Sequence, residues 1–108
     1  MGTRVIVAYR PRPGQEEALD RLTREHVPLL RRLGLASASP AVAMRAADGT
    51  VIESFEWKDG MREAAHTLPQ VAELWRRYAA AATYVPLRDV AETADIFAGF
   101  APIDLGEE

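Results

Sequence analysis

Residues 48–66 read DGTVIESFEWKDGMREAAH. Asp48-Gly49 is a strong hairpin signal, because glycine accepts the left-handed backbone that a tight turn needs. Thr50 to Trp57, rich in β-branched and aromatic side chains, follows as a strand, and Lys58-Asp59-Gly60 closes it. Before the turn, residues 35–47, LASASPAVAMRAA, form the antiparallel partner, with a bulge or sheet edge at Pro40. After it, residues 61–66 start a short helical turn. Pro69 then suits the first position of a longer helix to about Ala82, with Val71, Leu74, Trp75 and Tyr78 as its buried stripe.

Working outward, residues 3–10, TRVIVAYR, read as a strand with Val5, Val7 and Tyr9 on one side and Ile6 and Ala8 on the other. Pro11, Pro13 and Gly14 stop it. A helix is expected from about Gln15 to Leu33, its apolar stripe made of Ala18, Leu19, Leu22, Val27, Leu30 and Leu33. Acids open this helix, arginines close it, and Gly34 stands where a C-terminal cap belongs. Pro28 predicts a kink or local break. Residues 84–90, YVPLRDV, make a fourth strand, edge-placed by Pro86. In the tail, Ile96, Phe97 and Phe100 are expected to dock and the acidic end to fray. The order β-α-β-β-α-β predicts an α+β, ferredoxin-like fold: a four-stranded antiparallel sheet with both helices on one face. One domain spans residues 1–108, with its core at about 3–90 and a docking tail at about 91–108.

Both faces of this sheet carry apolar residues: Val5, Val7 and Tyr9 back onto Ile6 and Ala8, and Pro40, Val42 and Met44 alternate with Ala41 and Ala43. Helices cover one face only, so the second needs a cover. A homodimer is the expected solution, and a tail folded back over the sheet is the alternative.

Composition narrows the function classes. No apolar run approaches the ~20 residues that span a membrane, and MGTRVIVAYRPRPG is a poor secretory signal. MGTRVI also lacks Ser or Thr at its sixth position, so it is a poor myristoylation signal. The expectation is a cytoplasmic protein with no membrane partner. The absence of cysteine excludes disulfides, thiolate metal sites and cysteine nucleophiles. Net charge is −3 with basic residues scattered among acids, which argues against nucleic acid. Phosphate loops and nucleophile elbows are missing, and two distant histidines give no metal-ligand spacing, so no metal or cofactor is expected.

Two residues are candidates for acid–base chemistry. His66 titrates near neutrality and is a candidate general base or hydrogen-bond donor to a substrate oxygen; the competing reading is a surface or capping histidine. Glu53 shares a strand face with Phe55 and Trp57, where a carboxylate is costly unless paired or hydrated. It is a candidate proton acceptor; otherwise it pairs with Arg45 across the hairpin. Trp57 and Phe55 are candidate ligand contacts, with Trp57 at a pocket mouth. Arg45 and Arg88 are candidates to steady a developing oxyanion, or else are solvated. Trp75 reads as core, and His26 as an exposed or helix-capped imidazole.

An acid-Trp strand end, a short polar turn, Ala-Ala-His, a proline and an aromatic-rich helix together resemble the antibiotic-biosynthesis-monooxygenase domain family. VIVAYRPRPGQEEALDRL resembles its first strand and helix, and the Asp-Gly hairpin resembles its turn; roughly residues 3–90 are covered. The resemblance implies a dimeric α+β barrel with a pocket in each subunit between sheet and helices. Its better-known members oxidise polycyclic phenols or quinols with oxygen, without metal or flavin. A histidine is frequent at the place of His66, and an amide residue tends to stand where this chain has Glu53. Haem breakdown by a relative would need an axial imidazole; His66 lies early on the helix for that, and the amide partner is missing. The expected function is therefore a cofactor-independent monooxygenase-like enzyme acting on a small aromatic phenol or quinol. The alternative is a non-catalytic dimer that binds a small hydrophobic molecule or serves a structural role.

Overall fold

In the computed structural model, which describes residues 2–106, the hairpin at Asp48-Gly49 joins β2 (Val42–Arg45) to β3 (Val51–Trp57). Gly49 adopts φ 93°, and its N–H donates to the Ala46 carbonyl at 3.0 Å, which closes the turn. Asp48 fixes it further: its carboxylate accepts from the Thr50 N–H at 2.9 Å, and the hydrogen bonds from Thr50 hold the Asp48 carboxyl below its usual range.

The sheet has five strands, completed by β1 (Thr3–Pro11), β4 (Ala82–Val85) and β5 (Ala101–Ile103), in the order β4-β1-β3-β2-β5 with every neighbouring pair antiparallel. Among the described residues three α-helices accompany it: α1 (Glu16–Arg32), the short α2 (Met61–Ala65) and α3 (Pro69–Ala81). α1 and α3 lie on one face. Leu19 and Leu22 of α1 and Leu74 and Tyr78 of α3 bury Tyr9 and Val51, while Val27 and Leu30 with Val71 bury Phe55 and Trp57. This inward set alternates along β3 (Val51, Phe55, Trp57), so a one-residue slip in register would turn it to the other face.

Several expectations are corrected. The fifth strand comes from the tail, whose Ala101–Ile103 pairs with β2 through Ala43↔Ile103 and Arg45↔Ala101. β2 is short, because residues 35–41 keep only an isolated bridge between Ala36 and Trp57, upstream of a proline that cannot donate. β4 stops before Pro86, and the chain turns into 3-10 segments at Leu87–Asp89 and Ala91–Ala94. α1 continues through Pro28 without a break. The carbonyl deprived of a donor there belongs to Arg24, an exposed residue, where water serves equally well. The end of α1 is as expected: Gly34 at φ 76°, with Leu35 N–H donating to Leu30 O at 2.8 Å and Gly34 N–H to Arg31 O at 3.0 Å, forms a Schellman cap.

On the second face, Val90 and the half-buried Phe100 pack over Ala8, Ala46, Ile52 and Met44, so the tail covers part of it. Ile96 and Phe97 do not dock; they are 96% and 93% exposed. Ile6 and Val42 remain 55% and 51% exposed. Fraying of the acidic end, Glu107-Glu108, lies outside the described residues. No helix among the described residues is long and apolar enough to cross a membrane.

Candidate functional site

Glu53 faces inward because β3 alternates, and it is 0% exposed between Val51 and Phe55. A fully buried glutamate needs partners. It finds two, from different elements. In the β1–β3 register Val7 stands opposite Glu53 and Tyr9 opposite Val51, which makes Tyr9 the diagonal neighbour of Glu53. The Tyr9 hydroxyl donates to Glu53 Oε1 at 2.9 Å. On α1, His26 follows Leu22 by one turn and precedes Leu30 by one, so it points at the sheet. His26 Nδ1 lies 2.9 Å from the same Oε1. A carboxylate at this point accepts from the Tyr9 hydroxyl and can accept from an Nδ1–H of His26 as well.

His26 is 3% exposed. Its ring meets Phe55 and Tyr78 edge-on, with centroids 5.2 and 5.3 Å away, and Tyr78 stacks on Tyr9 at 4.8 Å. Two buried polar atoms of this group, His26 Nε2 and Glu53 Oε2, have no hydrogen-bond partner among the described residues. The buried Tyr78 hydroxyl makes no well-formed hydrogen bond either, with only the Thr23 hydroxyl to hand. Unpaired polar atoms gathered at one buried point are unusual and ask for a role. Burial, and next the charge on Glu53, raises the hydroxyls of Tyr9, Tyr78 and Tyr84 above the ordinary tyrosine range.

Beside this group lies a cavity of about 270 Å3, lined by Val5, Val7, Tyr9, His26, Phe55, Trp57, Trp75, Tyr84 and their neighbours. Its opening follows from strand length. β4 pairs only with Ala8–Pro11 of β1, leaving the edge at Val5–Val7 uncovered. Its volume lies just under the ~300 Å3 at which ordinary ligand pockets begin. A second depression of about 220 Å3 runs between α1 and α3, but the exposed Arg77–Glu25 ion pair and alanines line it, with no buried acid or base.

The structure brings Phe55 and Trp57 into the cavity wall and sets Glu53 behind Tyr9 and His26. It does not bring His66 to them. His66 caps α2, is exposed, and rests edge-on against the outer side of the site through Trp75, 5.1 Å between centroids. Glu53 does not pair with Arg45: opposite neighbours are Ala43↔Glu53 and Arg45↔Val51, and Arg45 instead grips both oxygens of Asp20 at 2.9 Å. Arg88 is exposed on the 3-10 segment and lines no part of the cavity. Trp75 is half-buried and lines the cavity, so it is more than core. His26 is a correction too, since it is neither exposed nor a cap. The signal for it was present: it occupies a stripe position between Leu22 and Leu30. Among the described residues, no group of three or more potential ligands gathers to hold a metal ion. No family model matches the chain, and no curated protein or solved structure does either.

Proposed function

We propose that this chain is a cofactor-independent monooxygenase of the antibiotic-biosynthesis-monooxygenase type, a ferredoxin-like subunit of a dimeric α+β barrel, acting on a small fused-ring phenol or quinol. The observation that supports it best is the buried His26–Glu53–Tyr9 group set against an aromatic-walled cavity. The sheet order β4-β1-β3-β2 with two helices on one face supports the ferredoxin-like reading, β5 being an addition at the edge.

In this reading a substrate hydroxyl gives its proton to the imidazole of His26, whose ring forms part of the cavity wall. Glu53, 2.9 Å from Nδ1, faces the positive charge that forms on the imidazole. The anion left on the ring is electron-rich and passes one electron to molecular oxygen. Superoxide and the ring radical join at a carbon bearing hydrogen, and His26 returns its proton to the peroxide. Loss of water then leaves a carbonyl. The balance is one ring CH2 (in its keto form) plus O2 giving C=O plus H2O. Trp57 and Phe55 hold the ring plane.

The test is oxygen uptake by purified protein with a panel of anthrones and hydroquinones under air. Uptake above buffer with at least one anthrone, giving a product that has gained one oxygen atom from O2 as a new carbonyl with water released, is the expected result; quinone formed with hydrogen peroxide and no oxygen gained would contradict it. Binding without uptake across the panel would leave the non-catalytic ligand-binding reading in its place.

A further inference from the structure

The cavity wall is polarised. His26 in it is buried, 3% exposed, and the rest of the wall is aliphatic or aromatic apart from one cation, the exposed Arg62 of α2. Glu53, the nearest buried acid, sits behind Tyr9 and His26 and lines no part of the cavity. Arg45 is held by Asp20 and Arg77 by Glu25, but Arg62 makes no ion pair or hydrogen bond among the described residues. A guanidinium on an apolar wall, unopposed by a carboxylate, favours a planar anion in the cavity.

We infer that the ligand carries a carboxylate on the edge remote from its reacting hydroxyl, and that Arg62 is the residue that selects for it. This rests on the cavity being the ligand site proposed above. It adds a chemical class: fused-ring aromatic acids rather than neutral polyphenols. Arg62 is exposed, so its contribution is that of a charge pair at a pocket mouth, modest and salt-dependent.

The chain has two tryptophans, and both line the cavity, so quenching of intrinsic fluorescence reads occupancy without requiring turnover. The probes are an anthraquinone carboxylate and its carboxamide, titrated at low and high salt. Wild type is expected to bind the carboxylate about fivefold more tightly than the amide at low salt, and nearly equally at high salt. Arg62→Gln should abolish the preference, and Arg62→Glu should reverse it, while amide binding and thermal unfolding stay as in wild type. Equal affinities in wild type, a preference that survives Arg62→Gln, or no quenching by either probe would overturn the inference. Failure of oxygen uptake alone would overturn the proposed reaction and leave this selectivity standing.

Discussion

Glu53 Oε1 accepts two hydrogen bonds at 2.9 Å in a site closed to solvent, and removing it would strand two donors as well as a cavity. Glu53→Ala is therefore expected to cost about 3 kcal/mol or more in urea unfolding, whereas Glu53→Gln, whose amide oxygen still accepts, should cost less than half of that. Equal losses for the two variants would show that the carboxylate charge, which both remove, carries the whole effect, and would contradict this reading. The same charge helps to keep all three tyrosines protonated. An unfolded tyrosine ionises near pH 10, and here the folded values are higher, so the folded state holds more protons above that pH. Stability should thus be complete below about pH 10 and fall as pH rises beyond it. Near-ultraviolet absorbance should show tyrosinate beyond that of the half-exposed Tyr84 appearing only together with loss of helical circular dichroism; free titration of two or more tyrosines in the native protein near pH 10 would contradict the burial of the Tyr9 and Tyr78 hydroxyls. At this scale the sequence showed that Glu53 needed a partner, because it stood among Val51, Phe55 and Trp57. It could not show which, since Tyr9 and His26 are 44 and 27 residues away and meet it only through register and helix rotation.

α1 delivers His26, and its geometry depends on continuing past Pro28. Restoring the missing N–H by Pro28→Ala should stabilise the fold by about 1–2 kcal/mol, the helix gain of about 3 offset by a looser unfolded chain. A destabilised variant would mean that the pyrrolidine ring packs usefully. Helices and the Asp48-Gly49 hairpin were legible because each carries local punctuation: Gly34 as a cap, Pro69 at a helix start, glycine at the turn. What local pattern could not decide was strand extent. Residues 35–41 have a strand-like composition but few partners to pair with, and YVPLRDV breaks at Pro86 into a 3-10 turn. β5 was hidden for the opposite reason: three residues, Ala101-Pro102-Ile103, form a strand only because the edge of β2 is there to receive them.

Over the whole molecule, the outer face of the sheet is the unfinished part. The tail packs Val90 and Phe100 onto it but leaves Ile6 and Val42 open, with Ile96 and Phe97 projecting. A second copy applied to this face would cover Ile6 and Val42, in keeping with the proposed dimer. Light scattering should give twice the 11.9 kDa chain mass, and a Val42→Glu variant should weaken the assembly. A concentration-independent 11.9 kDa species would refute the dimer. The cavity lies on the helical side of the sheet, so its chemistry is tested separately, and most directly by comparing the two histidines in the oxygen-uptake assay. His26→Gln should lower turnover by about 100-fold or more while remaining folded by circular dichroism, and His66→Gln should keep turnover within about twofold. Undiminished turnover in His26→Gln, or collapse in His66→Gln alone, would contradict the account.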